Sequence, residues 1–394
     1  MSRSRLFGTL CGAVFLVNMA RVVFAPLLSE FISVFTITEG TAGILVTLVW
    51  VGSAVPRLPV GWLLTKVPRH HVVLGSGAVL TLAAAFAASA TSVAMLMVAA
   101  VGMGLASGAY FVSGNPLVSE LFPNRVGRIV GVHGTASQLA AVVAAPFVTV
   151  TLTLQLRLVS GWRAVFVAIA VAAATVTLLV FLAARSTDLP DAGGSDRDLF
   201  GAARREWPTI ATGVVILGIT GFVWQGVFNF YELYVAAEAG KDLDPTVARN
   251  LLTVIFAAGV PAFLISGRLA DRFPHVPYML AILAAFAASL AALVAASGVV
   301  QVVVVSAVLG YVIHSLFPAM DTYLLDTLPD ETRASAYAVY SAGMMFVQAG
   351  GSSAVGVLHD AGVAYDVIYA TGAVVVLALV VVLGGLRRAG RLPA

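Results

Sequence analysis

Two arginines sit where a lipid bilayer would leave little water for them. Arg21 falls inside an apolar stretch running from about Leu6 to Phe35, and Arg57 inside another that closes at Lys66. Arg21 is about fifteen residues from either end of its stretch, roughly 22 Å along a helix axis, which is too far for the side chain to reach the interface. A guanidinium at that depth costs from ~3 to over 10 kcal/mol unless it meets an anion or water. Asn18 lies one helical turn away on the same face. Two readings follow for Arg21: it holds an anionic solute, or it neutralises a buried acid such as Asp321 or Glu232. Arg57, about 13 Å from the end of its stretch, is a candidate second anion contact.

Further polar groups recur at helical spacing. Phe222, Gln225, Asn229 and Glu232 share one face, with Glu232 near the end of its stretch. His314 and Asp321 are seven residues apart, again on one face, and Asn115 is the counterpart of Asp321 in an earlier stretch. A carboxylate in a low-dielectric cavity can exchange protons near neutrality. Asp321 is therefore read as a proton or ion carrier or as the partner of Arg21. His314 titrates in the same range or is a buried neutral ring. Tyr110, Tyr337 and Tyr340 could line a binding cavity, although aromatic stripes also serve packing. Glu120 with Arg128, and Asp326 with Arg333, are expected as ion pairs closing a gate at helix ends, joined there by Asp271 and Arg272.

The elements that position these residues follow from composition. The chain of 394 residues is 60% hydrophobic and only 10% charged, against roughly 25% charged in a soluble domain. Its apolar stretches are each near the ~20 residues needed to cross a bilayer as a helix. Twelve spans are expected, at 7–34, 41–65, 71–91, 93–121, 129–155, 162–184, 208–236, 246–271, 276–297, 299–327, 333–358 and 363–387. Cys11 is the single cysteine, which excludes an internal disulfide and cysteine-based metal sites. No phosphate-binding loop or metal-ligand spacing occurs, so neither a cofactor nor nucleic acid is expected, and a membrane-embedded enzyme is disfavoured by the scattered histidines. Most basic residues, from Arg3, Arg5 and Lys66 to Arg387, Arg388 and Arg391, fall on one side of the spans. Arg157, Arg163, Lys241 and Arg249 fall on the other. That bias places both termini in the cytoplasm.

The polar stretch 185–207, with Asp188, Pro190, Asp191, Gly193, Gly194, Asp196, Arg197 and Asp198, reads as a linker between halves 1–184 and 208–394. The halves repeat at an offset of 206 residues: Gly61 to Gly267, Gly104 to Gly310, Glu120 to Asp326. Such duplication is a mark of transporters. The third, sixth, ninth and twelfth spans are almost bare of polar groups and are expected to face lipid. Prolines 56, 59, 116, 146, 261 and 318 fall inside spans and are expected to kink them.

These residues carry a resemblance. Gly267-Arg-Leu-Ala-Asp-Arg272 looks like the signature loop of the major facilitator superfamily, and Gly61-Trp-Leu-Leu-Thr-Lys66 is a degraded copy with Thr65 where that family has Asp. Gly161-Trp-Arg-Ala-Val-Phe166 is similar to its sixth-helix start, and Asp326 with Arg333 to its acid–arginine pair. Arg57-Leu-Pro59 resembles the second-helix arginine of nitrate/nitrite porters, a faint likeness shared with organic-anion porters; Phe263 stands where those porters carry a second arginine. The resemblance implies an all-α membrane protein, with twelve transmembrane helices in two pseudo-symmetric six-helix bundles. It also implies a cavity lined by helices 1, 4, 7 and 10, and alternating access by rocking. The expected activity is secondary active transport of a small, anionic solute by a monomer in the cytoplasmic membrane, proton-coupled or exchange-driven. Export of drugs or hydrophobic metabolites is the runner-up, and a non-transporting sensor on the same fold the third reading.

Overall fold

The computed structural model describes residues 2–154, 161–189 and 198–393. Arg157 and the linker positions Pro190, Asp191, Gly193, Gly194, Asp196 and Arg197 lie outside the described residues. All regular structure within them is helical. In chain order the helices are α1 (Ser2–Val22), α2 (Glu39–Leu63), α3 (Arg69–Ala88), α4 (Val93–Leu121), α5 (Val126–Thr153) and α6 (Trp162–Arg185). They continue as α7 (Trp207–Ala236), α8 (Pro245–Ala270), α9 (His275–Ala295), α10 (Gly298–Thr327), α11 (Arg333–Ala349, resuming as Gly351–Asp360) and α12 (Tyr365–Arg388). All but α11 are long and apolar enough to cross a membrane. A short extra helix, Leu199–Arg205, opens on the Asp198 side chain as its N-cap. The start of α8 is written in its sequence: Asp244 accepts from the amides of Thr246 and Val247, and Pro245 takes the first-turn place where no N–H is needed.

The prolines divide into two groups. Pro116, Pro146, Pro261 and Pro318 sit inside continuous helices, whereas Pro26 and Pro56 interrupt theirs. Pro26 lacks an N–H and its ring crowds the carbonyl four residues back, that of Val22, where α1 ends. The chain resumes as the short apolar segment Ala25–Phe35. The expected first span is therefore two pieces. α2 is likewise divided, between Ala54 and Arg57. α7 contains a π-turn at Val214–Gly218.

Two compact units emerge, Met1–Thr36 with Leu48–Arg197, and Ile37–Thr47 with Asp198–Ala394. The second unit thus includes the start of α2, which the division at 185–207 had placed with the first half. Hydrogen bonds explain this: the Gly40 amide donates to Asp360 Oδ2 (2.9 Å), Thr47 Oγ1 to the Ala349 carbonyl (2.9 Å), and Ser353 Oγ to Thr47 Oγ1 (2.7 Å).

The repeat is visible as a contact. In the first unit Gly104 of α4 lies on the Val49 carbonyl of α2, so that an added methyl would overlap it. In the second, Gly310 of α10 lies in the same way on the Ile255 carbonyl of α8. Both members of the pair shift by 206 residues. Large apolar side chains face outward on α3 (Leu82), α6 (Val171, Leu182) and α12 (Val374, Val381), as a lipid-facing surface requires. On α9 the exposed apolar side chains are small, among them Ala281, Ala288, Ala291 and Ala292, while the first half of α10 exposes Val300 and Val304.

Candidate functional site

Arg21 occupies the last turn of α1. There the unpaired carbonyls of the helix end favour a cation, which lowers the cost of holding the guanidinium inside the bundle. Its Nη2 donates to Asn18 Oδ1 at 2.5 Å, and Asn18 Nδ2 donates to the Ser137 carbonyl of α5 at 2.7 Å. Asn18 therefore braces Arg21 and ties it to α5, as their one-turn spacing suggested. The guanidinium carbon lies 4.6 Å from the ring centre of Phe111 on α4 and 5.0 Å from that of Trp50 on α2. Such placements are attractive cation–π contacts. No carboxylate pairs with Arg21 among the described residues. The charge of Arg57, which opens the second piece of α2, acts on Arg21 directly. Two like charges in one neighbourhood repel each other and favour an anion between them.

The acids proposed as partners of Arg21 are engaged elsewhere. Glu232 is 3% exposed and pairs with Arg249 of α8: Nη2 to Oε1 is 2.9 Å and Nε to Oε2 is 3.3 Å. Both oxygens are occupied, so Glu232, a candidate partner of Arg21, is instead held in a buried two-point ion pair with Arg249. Asp321 is exposed near the Thr327 end of α10 and accepts from Tyr337 Oη of α11 at 2.8 Å. Asn115 on α4 is half-buried.

Other expected site residues have their polar groups in packing contacts. Tyr110 is buried; its Oη donates to the Leu10 carbonyl at 2.7 Å and meets His133 Nε2 at 3.0 Å. Asn229 donates to the carbonyl and Oε1 of Gln225 and to Ser352 Oγ, which fastens α7 to α11. Tyr340 is buried with its ring edge-on to Tyr337. The His314 ring holds the Gly310 carbonyl through Nδ1 (2.7 Å) and is enclosed by Trp224, Phe256, Phe263 and Phe317. Gly259 makes room for that ring, since a methyl there would come within 2.6 Å of it.

The helix-end pairs are also corrected. Glu120 bonds to Arg69 of α3 (2.9 Å), not to Arg128, which is exposed; Asp326 bonds to His275 of α9 (3.2 Å), and Arg333 turns to Asp330 in its own turn. A helical hairpin brings the start of one helix beside the end of the next, which sequence neighbours cannot match. Asp271 and Arg272 are exposed at the end of α8. Reasoning from sequence missed Trp50, Phe111 and His275, although the 206-residue offset relates Arg69 to His275 and could have found the pair.

The sequence profile of the Major Facilitator Superfamily matches residues 10–246 and 213–393. Crystal structures of a bacterial homolog of the human lysosomal transporter Spinster are similar in fold. The inward-facing, unoccupied form gives a TM-score of 0.76 and the inward-facing, occupied form 0.75; each is 16% identical and covers 97% of this chain and 94% of its own. With helical spans from end to end and a profile match over nearly its whole length, this chain is a multi-pass membrane protein that belongs to the Major Facilitator Superfamily.

Proposed function

We propose that the protein is a secondary active transporter of a small anionic solute, working by alternating access in the cytoplasmic membrane with both termini inside. Arg21 holds the anion, Asn18 braces Arg21, and Arg57 adds a second positive charge. Asp321, hydrogen-bonded to Tyr337, carries the coupling proton; Asn115 is its uncharged counterpart. A single chain suffices. The observation that supports the reading is a guanidinium inside a helix bundle, flanked by two aromatic rings and unpaired with any carboxylate among the described residues. A half-buried charge within a membrane span and without a counter-ion is costly enough to require a role.

The test is thermal unfolding of the detergent-purified protein against a panel of anions, amines and apolar drugs, with Arg21→Ala alongside. A ligand at a hundredfold excess over Kd stabilises by about 2.7 kcal/mol. Stabilisation by an anion class in the wild type, absent in Arg21→Ala, carries the reading forward to uptake in vesicles. Stabilisation by drugs alone, retained in Arg21→Ala, replaces it with export of hydrophobic compounds.

A further inference from the structure

The anion site holds two donors with nothing to bond. Arg21 Nε and Trp50 Nε1 are both buried without a hydrogen-bond partner among the described residues. They belong to side chains whose guanidinium carbon and ring centre are 5.0 Å apart, and Trp50 is only 8% exposed. A buried indole normally pairs its N–H, and a buried donor left unmade costs about 1–3 kcal/mol. One acceptor group placed beside both side chains would satisfy the two together.

The surroundings limit what that acceptor belongs to. Asn18 is spent, its amide on Ser137 and its oxygen on Arg21. The rings of Trp50 and Phe111 lie against the guanidinium. Ring faces carry negative potential, so they do not replace the water around a sulfate or phosphate, which carries charge on every side. They do fit an apolar body attached to a charge at one end.

The repeat sharpens the point. The 206-residue offset takes Trp50 to Phe256 and Phe111 to Phe317, so each unit carries the aromatic pair. In the second unit those two rings close on His314, and Phe256 has no N–H to offer. An indole, Trp224, packs edge-on to Phe256 there, but among the described residues a guanidinium joins the aromatic pair in the first unit alone.

We propose that Trp50 is a substrate-binding residue whose Nε1 donates beside Arg21, and that the solute is an organic carboxylate whose apolar part lies against Trp50 and Phe111. This rests on the anion reading above and narrows it. The experiment uses the full chain in detergent and sodium salts at equal ionic strength, with benzoate and hexanoate set against sulfate, phosphate and nitrate. Melting midpoints are titrated for the wild type, Trp50→Phe and Arg21→Ala. Trp50→Phe keeps an aromatic face and removes the donor, together with one ring of the indole, so hexanoate and benzoate are compared to separate lost ring contact from the lost hydrogen bond. The two carboxylates raise the wild-type midpoint and the inorganic anions do not. The apparent affinity for benzoate falls at least about tenfold in Trp50→Phe, the weight of a hydrogen bond to a charged group, and is lost in Arg21→Ala. The wild-type ranking of the salts needs no variant. Stabilisation by inorganic anions alone, dependent on Arg21, overturns the carboxylate assignment and leaves anion transport standing. Benzoate affinity unchanged in Trp50→Phe overturns the role of Trp50. Absence of any Arg21-dependent anion effect removes both readings.

Discussion

Arg69 and His275 hold the same post in the two units: each starts a helix and bonds to the acid that ends the next one, Arg69 to Glu120 and His275 to Asp326. The 206-residue offset relates both members of each pair. One partner is permanently charged, and the other is charged only when protonated.

His275→Arg puts a permanent charge opposite Asp326 and should strengthen the second pair. The pair is partly exposed, so the gain is about 1 kcal/mol at most. The melting midpoint of the variant should exceed that of the wild type at low salt, and the two should approach each other at high salt, where exposed pairs are screened. Equal midpoints at both salt concentrations would mean the contact at this position contributes nothing.

The glycine contacts allow a signed comparison. Alanine is favoured over glycine in a helix by about 1 kcal/mol, but a methyl on Gly104 or Gly310 would meet a neighbouring backbone. Forcing two packed backbones apart costs about 1–3 kcal/mol. Gly104→Ala and Gly310→Ala should lower the melting midpoint. Gly75→Ala, with no atom within 4 Å of the new methyl, should leave it level or raise it. A uniform rise in all three would show that these helices have room to spare.

Glu39 receives a hydrogen bond from Tyr365 and pairs with His359 Nδ1 at 3.0 Å, beside Asp360, which holds the Gly40 amide. Truncating His359 removes this partner of Glu39. In His359→Ala, backbone hydrogen exchange in residues 37–47 should be about fivefold faster than in the wild type, which corresponds to about 1 kcal/mol. Equal exchange in the two proteins would show that His359 does not hold this segment.

Asp321→Asn keeps the size of the side chain and removes its charge. In proteoliposomes loaded with the stabilising solute, exchange of labelled for unlabelled solute should persist, while uptake driven by a pH gradient should fall to background. Tyr337→Phe, which removes the hydrogen bond that Tyr337 donates to Asp321, should shift the pH dependence of uptake without abolishing it. Gradient-driven uptake that survives Asp321→Asn would place the coupling proton elsewhere.

The spans were legible because hydrophobicity is summed over some twenty residues, and errors at single positions cancel. Spans such as 93–121 and 299–327 accordingly match α4 and α10 almost end to end. The helix breaks were not legible, because a proline's effect depends on what neighbouring helices can supply to the freed carbonyl: Pro116 and Pro318 sit in unbroken helices, Pro26 and Pro56 do not. Arg21 and Asn18 could be read because a helix makes neighbours of residues three apart. Trp50 and Phe111 could not, since their meeting with Arg21 joins three helices and leaves no periodic trace in any one of them. Gln225 and Asn229 were placed on one face of α7 by their spacing, which could not say that Asn229 bonds both to Gln225 on that face and to Ser352 of α11.

One step beyond Gly104 and Gly310, the duplicated contact changes polarity. In the first unit the hollow is on α4, where Gly108 receives the Ser53 carbonyl and Pro56 of α2; in the second the hollow is on α8, where Gly259 receives the His314 ring of α10. Plug and socket have traded helices. A chimera carrying α10 in the place of α4 would drive a ring against the proline bend of α2, and the reverse graft would leave a void beneath Gly259. The two halves still share an ancestral blueprint, yet they have ceased to be spare parts for one another.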